Sequence, residues 1–198
     1  MALIKLNNRS IKDVTSLPFG VGNLIHIQSQ TASNSASISF TTGINSTYKE
    51  YQFYFIDIHP RSSATTFDFN FSTDSGSNYS TTKTSTCFYT YHNEADSATA
   101  LAYQGAYDLA QSTSYQTIGY VSNGADENLV GTLSLFNPSS TTYVKHYIST
   151  TNGYGANTAE CYGLYIGGYG NTTSAINAVR FQLGSGNFDG TIALFGVV

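Results

Sequence analysis

The stretch TTFDFNFST, residues 65–73, decides the fold class. Its three phenylalanines alternate with Asp68 and Asn70, so the rings point to one side and the polar side chains to the other. Strict alternation with a period of two is typical of a β-strand that has one face in a core and the other in solvent. We therefore expect a half-buried strand here, with Asp68 and Asn70 on its solvent side.

Similar short stretches, rich in aromatic and β-branched residues, lie on both sides of this strand. Each spans about 6–10 residues, the length of an ordinary strand, and Ser, Thr, Asn or Gly separates it from the next. Together they predict an antiparallel all-β sandwich of two sheets, with roughly ten to eleven strands. The further stretches are NLIHIQ (23–28), SASISFT (35–41), YQFYFIDIH (51–59), CFYTYHN (87–93), SYQTIGYVS (114–122), NLVGTLSLFNP (128–138), TYVKHYIST (142–150), CYGLYIGGY (161–169), AINAVRFQLG (175–184) and FDGTIALFGVV (188–198).

Residues 94–112 differ from this pattern because alanine is concentrated there. Here alone we expect a helical turn or a long crossover, and Gly105 interrupts a helix because glycine is a poor helix former. The fold prediction therefore allows at most one short helix.

Residues 1–20 stand apart from the rest of the chain. They carry Lys5, Arg9 and Lys12, a large share of the 8 lysines and arginines. We interpret this segment as an N-terminal arm or first strand that lies along a partner. We interpret residues 21–198 as a single β-sandwich domain.

Charged residues are rare in this chain and exclude several functions. They make up 10% of the sequence, with a net charge of -4, whereas an average globular chain has about 25%. So few cations argue against nucleic-acid binding. No apolar run reaches the length of a membrane span, and the N-terminus has no apolar core of the signal-peptide type. We expect no nucleic-acid or membrane partner, and synthesis in the cytoplasm without a signal peptide.

No group of residues in the sequence indicates catalysis. Among the 12 scattered carboxylates, Asp57 and Asp68 could form a glycosidase-type pair, although two solvent-facing strand residues are the simpler interpretation. The 4 histidines lie on separate predicted strands, outside any nucleophile or zinc motif. The acidic turns at 74–78 and 124–128 hold too few carboxylates to indicate calcium. We expect no enzymatic activity, no cofactor and no metal.

Cys87 and Cys161 both lie inside predicted strands. We expect two buried free thiols that pack as small apolar side chains. A disulfide between them is the alternative.

Two glycine-rich segments, NGYGAN (152–157) and GGYGNTT (167–173), each place a tyrosine between glycines. Glycine is frequent in turns because it adopts positive φ at no steric cost. We therefore predict two loops that present Tyr154 and Tyr169 as rigid, amphipathic contacts for surface recognition. The alternative is that each ring folds back onto the rim of the core.

Four segments carry a resemblance to a known class of protein. They are the opening MALIKLNNRSIKDVTSLP, the stretches STYKEYQFYFIDIHP and LFNPSSTTYVKHY, and the ending INAVRFQLGSGNFDGTIALFGV. Together they resemble small virion proteins of tailed bacteriophages, in particular marine and cyanobacterial phages, over nearly the whole chain. The resemblance implies a non-enzymatic, jelly-roll-like β-sandwich on the phage particle, of the capsid decoration or fibre type.

Two functions follow as hypotheses. The first is a capsid decoration protein that binds the major capsid protein or another virion protein on the head, as a homotrimer. In that case Lys5, Arg9 and Lys12 of the arm meet acidic groups of the capsid protein or of a neighbouring subunit. The alternative is a receptor-binding fibre or tail protein, whose Tyr154 and Tyr169 loops bind host-surface glycans.

Overall fold

The protein is built from β-strands alone in the part that the computed structural model describes, residues 24–155 and 159–198. The predicted all-β class is confirmed, and these ranges contain no helix that could cross a membrane. The predicted arm residues Lys5, Arg9 and Lys12 lie outside the described residues. The strands are β1 (Leu24–Ser35), β2 (Ser37–Phe40), β3 (Glu50–Pro60), β4 (Thr65–Ser72), β5 (Lys83–Asn93), β6 (Thr99–Tyr103), β7 (Gln116–Val121), β8 (Leu129–Phe136), β9 (Lys145–Gly155), β10 (Glu160–Gly170), β11 (Ala178–Leu183) and β12 (Phe188–Val197).

Every predicted stretch corresponds to one of these strands, and β6 is the addition. It lies within 94–112, where the structure has a strand in place of the expected helical turn or crossover. The side-chain oxygen of Asn93 closes a tight turn, because it accepts hydrogen bonds from the backbone N–H groups of Ser97 and Ala98, both at 3.0 Å. This turn folds β6 back onto β5, so local turn chemistry outweighs the helix preference of alanine.

The strands form two antiparallel sheets, which confirms the predicted two-sheet sandwich. The large sheet has the order β1-β12-β3-β8-β9-β10-β5-β6, and the small sheet has the order β2-β11-β4-β7. Successive strands from β1 to β4 alternate between the two sheets, which gives the jelly-roll-like arrangement that we expected. Each sheet thereby buries one face against the other.

Aromatic rings fill the space between the sheets. Phe181 of β11 is fully buried. Its ring meets those of Phe40, Phe53 and Phe55 edge-on, with centroid distances of 6.1, 5.1 and 5.3 Å. Such pairs contribute about 0.5–1.5 kcal/mol each beyond the area that they bury. The three phenylalanines of residues 65–73 belong to the same core, as their alternation predicts.

The other side of β4 is also covered, which corrects the prediction that it faces solvent. Asn70 is fully buried and Asp68 is only 8% exposed. The Asn70 amide donates hydrogen bonds to the carbonyl oxygens of Tyr79 at 2.8 Å and Thr113 at 3.0 Å. These two residues precede β5 and β7, so the connections that lead into those strands fold back across the outside of the small sheet.

A buried lysine ties this cover to β4. Lys83, at the start of β5, is fully buried. Its ammonium group donates to Asn70 Oδ1 at 2.6 Å and to the Thr81 carbonyl at 2.9 Å. Burial lowers the pKa of Lys83 to about 7, because the charged form loses its hydration.

The two sheets differ in width, and the difference leaves one edge of the large sheet without a facing strand. β7 is the last strand of the small sheet, and it packs against β9 and β10. β5 and β6 lie beyond β10, at the edge of the large sheet. The connection from β6 to β7 runs along β5, with backbone hydrogen bonds at Cys87, Ser85 and Lys83.

Candidate functional site

The outer face of the large sheet, which points away from the core, carries exposed aromatic side chains in register. Tyr165 of β10 lies opposite Phe88 of β5, and Phe88 lies opposite Tyr103 of β6. The rings of Tyr165 and Phe88 stack with a centroid distance of 4.8 Å and an interplanar angle of 9°. The exposed fractions of the three side chains are 36%, 43% and 58%.

Two aliphatic side chains extend this line of rings. Ile148 of β9 is 56% exposed and Leu101 of β6 is 71% exposed. We call the five side chains the aromatic row: Ile148, Tyr165, Phe88, Tyr103 and Leu101. Single exposed apolar residues are ordinary, but contiguous ones on one face mark a binding surface.

An apolar hollow of about 580 Å³ lies at one end of the aromatic row. Tyr169 and His146 are register partners in β10 and β9, and their rings lie 5.9 Å apart on its wall. Phe136 and Ile148 also line it. A Cβ added at Gly167 would meet only one atom within 4 Å, the Thr86 methyl group at 4.0 Å. The glycine therefore leaves the floor of the hollow open.

A polar hollow of about 490 Å³ lies at the opposite end of β9 and β10. Its lining combines amides, carboxylates, one imidazole and one phenol, which are the groups that form several hydrogen bonds with a polar ligand. The side chains that line it include His92, Asn93, Glu94, Asp96, Asp126, Asn128, Asn152 and Tyr154.

Hydrogen bonds hold the walls of the polar hollow. The Asn128 amide donates to Asp57 Oδ1 at 2.8 Å. His92 Nε2 lies 3.0 Å from Asp96 Oδ1. Partial burial and the nearby carboxylate of Glu94 raise the pKa of Tyr154, so its hydroxyl stays protonated and able to donate.

Tyr154 and Tyr169 therefore line two different hollows, and the prediction that they lie in loops is wrong. Tyr154 belongs to β9, opposite Cys161, and Tyr169 belongs to β10, opposite His146. Each tyrosine is half-buried in its strand. The two strands pair without a register shift from Glu160↔Gly155 to Gly170↔Lys145, which places the two rings at opposite ends of one ladder.

The glycines around these tyrosines serve close packing and not turns. A Cβ at Gly153 would lie 2.7 Å from the Tyr120 carbonyl oxygen, and one at Gly168 would lie 2.5 Å from the Tyr147 hydroxyl. Neither glycine adopts positive φ. The signal in the sequence was the spacing: Gly153 and Gly155, and likewise Gly168 and Gly170, lie two residues apart on the inward face of a strand.

The structure does not bring Asp57 and Asp68 together as a carboxylate pair in one sheet. Asp57 belongs to β3 of the large sheet and Asp68 to β4 of the small sheet. The simpler interpretation, two solvent-facing residues, is also wrong for Asp68. Burial raises its pKa, and Thr66 Oγ1 donates a hydrogen bond to its Oδ2 at 3.1 Å.

The two cysteines differ in exposure. Both thiols are free, as expected, but only Cys87 is buried, and Cys161 is exposed. Burial raises the pKa of Cys87 to about 12. Cys161 lies on the outer face, because it is one position removed from the inward-facing Tyr162.

The two acidic turns are held by their own hydrogen bonds. Ser72 and Asn78 donate to the carboxylate of Asp74, and these bonds lower the pKa of Asp74 to about 2. The Glu127 carboxylate accepts a hydrogen bond from the backbone N–H of Gly124. Within the described ranges, no group of three or more His, Cys, Asp or Glu residues lies close enough together to hold a metal ion.

Comparisons with known proteins give no family for this chain. No family model matches the sequence, and no curated protein matches it. Among solved structures, the galectin LEC-6 of Caenorhabditis elegans is similar at 11% identity and a TM-score of 0.30, over 90% of this chain and 99% of the galectin chain. A likeness this weak carries no argument about function.

Proposed function

We propose that the protein is a non-enzymatic virion protein of a tailed bacteriophage, of the capsid decoration type. In this proposal it binds the major capsid protein or another virion protein through the aromatic row. The protein is synthesised in the host cytoplasm and is displayed on the particle as a homotrimer, since capsids offer threefold positions that a closed trimer can occupy.

The observation that supports the proposal is a row of exposed rings on one face. Phe88, Tyr165 and Tyr103 are between 36% and 58% exposed, and the charged group that contacts them is the carboxylate of Asp108, which accepts a hydrogen bond from the Tyr103 hydroxyl. Protein interfaces are depleted in Lys, Glu and Asp at their centres and enriched in Tyr and Phe. A monomer gains little from leaving these rings in water, whereas a partner that covers them gains the burial of their apolar area.

The predicted arm supplies a second contact in this proposal. Lys5, Arg9 and Lys12 are cations in a chain that carries 12 acidic and 8 basic residues. Two of the other cations, Lys83 and Lys145, are fully buried. The arm thus holds much of the positive charge that is available to meet acidic groups on the capsid or on a neighbouring subunit.

The test compares attachment to particles for two variants. Phage particles depleted of this protein are mixed with the wild type, with F88T/Y165T, or with Y143S, and are pelleted. Threonine keeps a strand-compatible side chain, and Tyr143 is a control because it is 70% exposed in a loop. The proposal predicts that F88T/Y165T stays in solution while Y143S pellets with the particles, and full attachment of F88T/Y165T overturns it.

Removal of the arm and labelling of the particle complete this test. Deletion of residues 1–17 is expected to abolish attachment while the circular dichroism spectrum keeps its β-sheet form. Gold-labelled antibody against the chain is expected over the head. Label confined to the tail or to fibres favours the receptor-binding alternative.

A specific observation supports that alternative, recognition of a host-surface glycan. The polar hollow places the ring of Tyr154 beside the amides of Asn128 and Asn152 and the carboxylates of Glu94 and Asp126. A sugar offers apolar ring faces for stacking and hydroxyls for amides and carboxylates, so this lining suits it.

A glycan array separates the two functions. Glycan recognition predicts binding of defined glycans by the wild type, and its loss in Y154A. The matched control is Y169A, because Tyr169 lies at the far end of the same strand pair. Attachment to particles is expected to survive in Y154A, because Tyr154 belongs neither to the aromatic row nor to the arm.

A further inference from the structure

A third cavity lies on the inner side of the large sheet, at the edge that the small sheet does not reach. Its volume is about 460 Å³. The cavity exists because β5 and β6 extend past β7, the last strand of the small sheet. The side chains that line it include Tyr89, Tyr91, Gln104, Tyr107, Tyr120, Glu160 and Tyr162.

Five tyrosines dominate this lining, two from β5 and one each from β7, β10 and the connection between β6 and β7. Tyr89 stacks on Tyr91 at 6.2 Å and 9°, and on Tyr162 at 5.5 Å and 11°. Tyr120 of β7 meets Tyr162 at a steep angle of 63°, with a centroid distance of 6.4 Å. Tyr107 comes from the connection between β6 and β7. The rings of Tyr89, Tyr91 and Tyr162 are therefore nearly parallel, and the ring of Tyr120 is steeply inclined to that of Tyr162.

Glu160 is the one charged side chain among the described residues that line this cavity. Along β10, Glu160 stands at one end, opposite Asn93 and Gly155. The buried Lys83 and Lys145 stand at the other end, opposite Gly170. Ten residue steps of strand, about 33 Å at roughly 3.3 Å per residue, separate these cations from the Glu160 carboxylate.

A ring that stands at a steep angle to a stack of nearly parallel rings, with a carboxylate in the same cavity, forms an environment that attracts an alkylated ammonium ion. The negative face of each ring attracts the cation, the methyl groups bury apolar area, and the carboxylate balances the charge. The Gln104 amide donates a hydrogen bond to the Tyr162 hydroxyl at 3.4 Å, which joins two of the side chains that line the cavity.

We propose that the tyrosine-lined cavity beneath β5 and β10 binds the trimethylammonium group of a choline-like ligand. The volume of about 460 Å³ leaves room beside that group for the rest of a small molecule or a head group. The site lies on the inner side of the sheet, so its occupation is independent of the aromatic row and of particle attachment.

The test uses the full chain with tetramethylammonium and choline as probes. Their binding is measured by calorimetry and by changes in the NMR signals of the tyrosine rings. The neutral control is 3,3-dimethylbutan-1-ol, in which carbon replaces the nitrogen of choline. The proposal predicts saturable binding of both cations, with binding of the neutral alcohol weaker by about five- to thirtyfold. Equal binding of the alcohol, or no saturable binding of either cation, overturns it.

Variants then locate the site. Y91L and Y120L each remove one partly exposed ring, and each is expected to weaken choline binding about fivefold or more. The matched control Y165L removes a ring of the outer face and is expected to leave choline binding unchanged. Equal effects of Y91L and Y165L on choline binding overturn the assignment of the site. If a variant fails to fold, the comparison of choline with its neutral analogue on the wild-type protein still tests the proposal. Phosphatidylcholine vesicles, set against free choline, distinguish a membrane head group from a small molecule.

Discussion

The two outward faces of the sandwich differ in what covers them. On the small sheet, the polar side is covered: Asn70 of β4 is fully buried under the connections that lead into β5 and β7, and so is its hydrogen-bond partner Lys83 at the start of β5. On the large sheet, apolar groups are open: Phe88 and Leu101 are 43% and 71% exposed. The usual distribution of polar and apolar side chains is therefore reversed between the two faces.

This reversal separates stability from binding. Buried polar groups such as Asn70 and Lys83 stabilise the fold only while every partner is in place, because an unpaired polar group in the interior is costly. Exposed rings on a sheet contribute little to folding, but they are available to a partner. The covered face should therefore respond to mutation with a loss of stability, and the open face with a loss of attachment.

The largest expected effect is that of N70A on the covered face. The variant leaves the Lys83 ammonium with the Thr81 carbonyl and removes the bonds to Tyr79 and Thr113. We expect a fall in the free energy of unfolding of about 2–4 kcal/mol, measured by urea denaturation. The control N171A removes an exposed amide that donates to Gln111, at a cost of about 0.5 kcal/mol. If N70A and N171A lower the free energy of unfolding equally, the covered polar groups do not stabilise the fold more than exposed ones, and the distinction between the faces is contradicted.

The next largest effect is a pH dependence of the free energy of unfolding, which comes from Lys83. Burial lowers its pKa to about 7, below the ordinary value of roughly 10.4. Between these values the unfolded chain binds more protons than the folded one, so stability rises with pH, by at most about 1.4 kcal/mol per unit. Below pH 7 the folded chain also binds this proton, so the two states carry equal charge at Lys83 and the slope disappears.

Urea denaturation at several pH values between 7.5 and 9 measures this slope. K83M should reduce it, because methionine keeps the length of the side chain without the titrating group, and the buried Lys145, whose pKa burial also lowers, accounts for the remainder. K49M is the control, since Lys49 is exposed, and it should keep the slope of the wild type. A wild-type slope that survives in K83M contradicts the assignment.

On the open face, Y165T is expected to lower the free energy of unfolding by less than about 1 kcal/mol. The variant removes the stack on Phe88, and stacked rings at a partly exposed site contribute about 0.5–1.5 kcal/mol. Urea denaturation of Y165T beside N70A shows the contrast directly. A loss in Y165T as large as that in N70A means that the aromatic row stabilises the fold.

The smallest expected effect concerns the reactivity of the two thiols. Their accessibility to a reagent distinguishes the two sides of the large sheet. Cys161 is exposed and Cys87 is buried, so a thiol reagent should modify one cysteine in the native protein and both in urea. Absorbance titration with the reagent gives the count, and C161S should remove the native reaction. Rapid modification of Cys87 in C161S means that the inner side of β5 is open to solvent.

Alternation in the sequence predicted the strands well, because period two is a local property of the chain. The stretch 65–73 is a strand with its phenylalanines in the core, as expected. Burial of Asp68 and Asn70 could not be predicted, because it depends on segments that begin several residues later and fold across β4. Local sequence does not indicate what lies on top of a strand.

The candidate sites show the same limit. The sequence predicts Tyr154 and Tyr169 as surface contacts in loops, but the glycines that indicate turns serve close packing in the structure, such as that of Gly153 against Tyr120. Glycines that lie two residues apart in a strand share one face of the sheet, and this spacing distinguishes them from glycines in turns. The cavity lined by Tyr89 and Tyr162 follows from the unequal widths of the two sheets, and no single stretch of sequence records that difference.

The most direct test of the central claim, that the open aromatic face is the attachment surface, is hydroxyl-radical footprinting with mass spectrometry on free and particle-bound protein. The account predicts that oxidation of Phe88, Tyr103 and Tyr165 falls several-fold on the particle, while Tyr143, 70% exposed in its loop, is oxidised equally in both states. Equal oxidation of the three rings in the free and bound states contradicts it.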